Sequence, residues 1–256
     1  MTSCPPTTIA LRVLAFALML ALAAAMPARA DSASDLGDGA AAYTRGDFAN
    51  ALKKFKPLAE EGHAIAQFVL GAMYANGRGV PRDPAEAVKW YRKAAEQGHA
   101  DAQYNLSLMY RSGEGVTKDD TQAANWTRKA AEQGPAKAQY NLGVMYAKGL
   151  GVKQDYKLSV KWARKAAEQG DALAQLHLGT MYANSLGVAK DTVQAHMWFD
   201  LAASRLPPGK HHDTAILRRD TTARSMTPEQ IEKAEKLKED WEPGRRKPAP
   251  SPREEP

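Results

Sequence analysis

His99–Gly134 reads HADAQYNLSLMYRSGEGVTKDDTQAANWTRKAAEQG, and Pro135–Gly170, directly after it, reads PAKAQYNLGVMYAKGLGVKQDYKLSVKWARKAAEQG. The two stretches register without a gap. Working outward, His63–Gly98 keeps the same register upstream, and the segment from Asp171 keeps it downstream. Gln recurs at Gln67, Gln103, Gln139 and Gln175, and Leu at Leu70, Leu106, Leu142 and Leu178. Tyr recurs at Tyr74, Tyr110, Tyr146 and Tyr182, Asp at Asp83, Asp119, Asp155 and Asp191, and Trp at Trp90, Trp126, Trp162 and Trp198. Self-similarity at a fixed period of 36 residues is the signature of a repeat array, and it decides the fold before any other feature.

Each block reads as two helices. In the first, Gln67, Leu70, Gly71 and Tyr74 fall at i, i+3, i+4 and i+7 along one face. Gly77-x-Gly79 then turns the chain, and Val80 is expected to fasten the loop to the core. Asp83 is placed to N-cap the second helix, with Pro84 at its first position. Glu86, Gln122 and Gln194, three residues after Asp83, Asp119 and Asp191, predict capping boxes. The second helix is expected to bury Ala87, Trp90 and Ala94. Gly98 ends it, and Lys93 is expected to favour the negative end of its dipole. One helix pair cannot cover its own apolar face, whereas stacked pairs can. The pattern therefore predicts an all-α, right-handed αα-solenoid of antiparallel helix pairs.

At these residues the sequence resembles the Sel-one-like repeat (SLR) family, relatives of the tetratricopeptide repeat. The resemblance runs from about Ala40 to Ala203 and is carried by Ala-x-Ala-Gln-x-x-Leu-Gly-x-Met-Tyr, the Gly-x-Gly-Val loop, and Trp-x-x-Lys-Ala-Ala-Glu-Gln-Gly. Departures are Ser107 for the glycine of the first helix, Ser159 for an alanine of the second, and Ser185 for the first loop glycine. The family resemblance implies a protein-binding scaffold. It also leaves open envelope glycan or peptidoglycan binding, or β-lactam hydrolysis, as proposed for cysteine-rich SLR proteins that carry a disulfide in each repeat.

The expected organisation follows. Residues 1–30 form a signal peptide: Arg12, an apolar run from Val13 to Met26, and the cleavage pattern Ala28-Arg29-Ala30. Residues 31–62 form an atypical first pair, with blocks at 63–98, 99–134, 135–170 and 171–209. Residues 210–241 cap the array, with a capping box at Thr227-Pro228-Glu229-Gln230, and 242–256 are a Pro-rich tail expected to be disordered. The leader predicts export to the periplasm or beyond, with no integral membrane segment after cleavage. The sole cysteine, Cys4, lies within the leader. Losing Arg12 and Arg29 lowers the net charge from +6 to +4. Acids and bases are interleaved, so nothing marks a nucleic-acid partner.

No catalytic motif emerges, and the chain is read as a non-enzyme without cofactors. The histidines (His63, His99, His177, His196, His211 and His212) make no metal-binding spacing. The Gly-x-Gly pairs follow helices rather than strands, so they are turns and not phosphate cradles. In this repeat class the first helix of each pair lines the concave face. Residues between its core positions are the candidate partner site: Asp101, Tyr104, Asn105, Leu108 and Arg111, then Lys137, Tyr140, Asn141, Val144 and Lys148, then Leu176, His177 and Thr180. Aromatics and amides beside both charge signs suit an extended peptide or a protein loop. Tyr104 and Tyr140 fit a packing role as well as a binding one. The chain is expected to act as a monomer.

Overall fold

The computed structural model describes residues 29–241, all of whose regular elements are α-helices. They are α1 (Arg29–Thr44), α2 (Phe48–Glu60), α3 (Ala64–Asn76), α4 (Pro84–Glu96), α5 (Ala100–Ser112), α6 (Asp120–Glu132), α7 (Ala136–Lys148), α8 (Tyr156–Glu168), α9 (Ala172–Ala183), α10 (Thr192–Arg205), α11 (Lys210–Ala223) and α12 (Pro228–Trp241). The chain divides into two compact units between Lys93 and Ala94. The signal-peptide reading at 1–30 lies outside the described residues except for Arg29 and Ala30, which begin α1, and the tail reading at 242–256 lies wholly outside them.

The first unit packs α1 on α2 and α2 on α3 around Phe55, Leu58, Leu70 and Met73. Asp47 caps α2 by accepting from the Asn50 backbone N–H at 3.2 Å. Val80 is partly buried on this core, as expected. In the second unit every helix from α5 to α11 packs on its neighbour in sequence, and α12 returns to α10.

The recurring residues perform recurring bonds. The backbone N–H of each capping aspartate donates to the carbonyl of the tyrosine ending the previous helix: Asp83 to Tyr74, Asp119 to Tyr110, Asp155 to Tyr146 and Asp191 to Tyr182, at 2.9 to 3.2 Å. Its carboxylate then accepts from the first turn of the next helix, as Asp119 does from Thr121 and Gln122. Each recurring glutamine is buried and donates to a carbonyl near the end of the preceding helix: Gln67 to Ala59, Gln103 to Ala95, Gln139 to Ala131 and Gln175 to Ala167. Such terminal carbonyls have no partner within their own helix. In the second unit Gln133 donates to the Gln103 oxygen and Gln169 to the Gln139 oxygen, at 2.7 and 2.8 Å. This ladder stops at Gln175, whose oxygen is buried without a partner. Arg205, 30 residues on, stands where the donor glutamine would, and its guanidinium lies over Trp241 instead.

Three expectations are corrected. The buried stripe of the first helix keeps the expected Gln67, Leu70 and Gly71 but adds Met73, while Tyr74 stays at the edge. Only the later tryptophans are core residues. Trp162 and Trp198 are 8% and 5% exposed, whereas Trp90 and Trp126 are half-buried. The buried position is the next one along, held by Tyr91, Thr127, Ala163 and Phe199. The tryptophans of the first three blocks, buried or not, each take a lysine on the ring face. Lys93 lies 4.1 Å from the Trp90 centroid, Lys129 4.1 Å from Trp126 and Lys165 4.9 Å from Trp162, so Lys93 serves an aromatic face as well as the helix end. Finally, Glu86 pairs with Lys89 at 3.2 Å. The reciprocal capping box appears at α12, where Thr227 and Gln230 exchange bonds of 3.0 and 3.3 Å.

Candidate functional site

The first helices of the pairs in the second unit, α5, α7 and α9, carry all the sequence-predicted site residues. Asp101, Arg111, Lys137 and Lys148 are exposed, and Tyr104, Asn105, Leu108, Tyr140, Asn141, Val144, His177 and Thr180 are half-buried. Leu176 is 9% exposed, so it belongs mainly to the core, because α9 is covered by helices on more sides than α5 or α7.

Successive repeats are joined through this face. The Asn141 amide donates to the Tyr104 hydroxyl at 2.8 Å, and its oxygen accepts from Arg111 at 3.3 Å. One block later the partner of Tyr140 is His177, met edge-on with centroids 6.2 Å apart. Both tyrosines pack on core clusters while keeping some surface. Burial pushes both phenols above their ordinary pKa.

His177 occupies the position held by Asn105 and Asn141 in earlier blocks. Its Nε2 is 3.1 Å from the Ser159 hydroxyl, the serine that replaces a repeat alanine. Burial, reinforced by the charge of Lys148, holds its pKa down at about 4. The ring is therefore neutral at pH 7. A serine beside a neutral histidine is half of a nucleophilic pair, but Ser159 is 0% exposed and its hydroxyl also contacts the Met181 sulfur. Its role here is to hold the histidine ring.

At this end of the face lies an open cleft of about 430 Å³. Five predicted residues line it: Tyr140, Lys148, Leu176, His177 and Thr180. Four others were missed: Leu173, and His211, Thr214 and Arg218 from α11. The sequence announces α11 as a helix, but it lies beyond the repeat register, so the face it presents cannot be read by alignment with earlier blocks. The remaining predicted residues, from Asp101 to Asn141 and with Val144, lie along α5 and α7 outside the cleft. Among the described residues no group of three His, Cys, Asp or Glu side chains is arranged to hold a metal ion, and no helix is long and apolar enough to cross a membrane.

Repeated helix pairs joined by capped loops define a protein of the αα-solenoid class. Sel1 repeats match residues 64–99, 100–135, 136–171 and 172–205, and the chain belongs to the Sel1 repeat family. A Sel1 repeat protein from Oxalobacter formigenes is 31% identical, with 76% of this chain and 86% of that one covered and a TM-score of 0.63. The protein c5321, a protective antigen present in uropathogenic Escherichia coli strains that displays an SLR fold, is 34% identical with a TM-score of 0.50. The match covers 75% of this chain and 48% of that one, so the chain corresponds to about half of that protein. No curated protein matches the chain. Sel1 repeat proteins are generally protein–protein interaction scaffolds, and their helical solenoid is generally non-catalytic.

Proposed function

We propose that the chain is an exported, non-enzymatic scaffold that holds a protein or peptide partner on the first-helix face of its second unit. The observation that carries this reading is the linked strip on α5, α7 and α9. There the Tyr104–Asn141–Arg111 bonds and the Tyr140–His177 contact fix half-exposed side chains in place. Side chains held before binding lose little conformational entropy on binding, which favours a recognition surface. The leader at residues 1–30 supports a site of action in the cell envelope or outside the cell.

The test is affinity capture from envelope extract with the exported chain as bait. A partner should be retained by the wild type and by Lys157→Ala/Lys161→Ala on α8. It should be lost from Arg111→Ala/Lys137→Ala, whose exposed side chains can be removed without opening the core. Retention by that strip variant would place the partner elsewhere. Recovery of a chain still beginning before Arg12, in a membrane fraction, would refute export with cleavage.

A further inference from the structure

The cleft between α7, α9 and α11 is lined by donors and apolar groups, with no carboxylate among its lining residues. Lys148 and Arg218 are both exposed, and neither enters an ion pair among the described residues. Arg219, next in sequence, shows the contrast, since it is bound to Asp200 at 3.0 Å and Asp220 at 2.8 Å. The Tyr140 hydroxyl has no hydrogen-bond partner among the described residues, unlike that of Tyr104. His211 adds a ring nitrogen donor from α11. The acids nearby face other groups: Asp213 lies 3.3 Å from His212, and Asp171 accepts the Ala174 N–H at 2.9 Å as the cap of α9 while its charge still reaches Tyr140 and helps raise that phenol's pKa. Leu173 and Leu176 supply the apolar part of the lining.

We infer that this cleft takes an acidic peptide segment, whose carboxylate side chains meet Lys148 and Arg218 while an adjacent apolar side chain rests on Leu173 and Leu176. The inference rests on the partner-binding reading above and names the chemistry of the partner. Two cations without counter-ions, on different helices, line one cleft, and each offers a bound carboxylate a charge-assisted bond. The two lining leucines distinguish a peptide from a small hydrated anion, which gains nothing from apolar surface. Recognition of this kind depends on salt, since the charges are exposed.

The probe is a fluorescein-labelled decapeptide of alternating Glu and Leu, titrated against the full chain by fluorescence anisotropy, with a Gln-for-Glu counterpart as control. The acidic peptide should bind about tenfold more tightly or better than its neutral counterpart. Lys148→Gln/Arg218→Gln should remove that advantage, and Lys157→Gln/Lys161→Gln, outside the cleft, should keep it. Equal affinity for the two peptides, or an unaffected double variant, would overturn the assignment. So would displacement of the peptide by inorganic phosphate or glucuronate as effective as displacement by unlabelled peptide, because the site would then be one for small anions. The capture experiment separates the two readings. A partner held equally by wild type and by Lys148→Gln/Arg218→Gln would sink the cleft assignment while the scaffold reading stands. If the wild type captured no protein, the scaffold reading would fall while the peptide titration still judged the cleft.

Discussion

At the scale of single residues, the tryptophans show how one repeated letter acquires different meanings. Trp162, 8% exposed, fills space against Ala130, Ala131 and Leu142, while Trp126 lies half-open beneath Lys129. Trp162→Ala should cost about 3–5 kcal/mol, as large-to-small core changes do. Trp126→Ala should cost about 2 kcal/mol or less, since only part of its area leaves water. Paired urea denaturations would check this, and equal losses would mean that the two rings are equally buried. His177 offers a second test at the same scale. Its ordinary pKa is 6.5, and in the folded chain burial and Lys148 lower it to about 4. The native state therefore binds fewer protons than the unfolded chain between those values. Its stabilising contribution is complete above about pH 6.5 and is lost as pH falls towards 4, up to roughly 3 kcal/mol. His177→Asn restores the residue found at Asn105 and Asn141, and it should flatten the fall of the melting temperature between pH 6.5 and 4.5. An unchanged slope would show that other groups set the acid sensitivity.

Among the helices and loops, the most instructive contact is one that a single block cannot reveal. The second glycine of the loop is required by its neighbour as well as by its own turn. A Cβ on Gly151 would lie 1.8 Å from the carbonyl oxygen of Asp120, the first residue of α6 in the preceding pair. Gly149, at the first loop position, has a similar positive φ of 68°, but a Cβ there would meet only ordinary contacts from 3.5 Å outward. Gly149→Ala should therefore cost about 1–2 kcal/mol, the strain of the left-handed backbone alone. Gly151→Ala should cost distinctly more, because loop and helix must move apart. Calorimetric melting of both variants decides it, and equal shifts would mean that the loops do not meet. Ser185 shows that the first position tolerates a side chain, with φ at 57°. The turn was legible from sequence because two glycines after a helix point to positive φ. The close approach was not, because it joins residues about 30 apart that belong to different blocks. The same limit applies to the candidate site. Tyr104, Arg111, Lys137 and Asn141 were placed on one face by helical spacing, yet the Tyr104–Asn141 bond crosses blocks. Leu176 follows the same spacing and still falls mainly into the core, because its surroundings are set by α10 and α11.

For the molecule as a whole, a stacked array has two ends, and the structure shows how the later one is closed. Each internal pair is covered by the next, but α10 has no further repeat to cover it. It is covered instead by α11 and α12, which break the repeat pattern. Asp200 on α10 binds Arg219 on α11 at 3.0 Å and Lys238 on α12 at 2.5 Å, tying the three helices together. Burial pushes the Asp200 carboxyl up in pKa, but its bonds to Lys238 and Arg219 outweigh this and hold it below the ordinary value. Trp241 meets Trp198 edge-on at 5.5 Å, and Ala234 is 1% exposed, so α12 seals the apolar side of α10. A chain ending at Thr227 should leave Trp198 open to water, and the exposed patch should invite self-association. Because contacts in such arrays run between neighbours, the loss should be greatest at this end. Hydrogen exchange should quicken in α10 and α11 first and leave α5 and α6 close to the full-length chain. The two chains should also differ in sedimentation, with the shortened one shifting to larger species as concentration rises. If the shortened chain stayed monomeric and α10 kept its protection, α12 would be an appendage and the array would close on α11 alone.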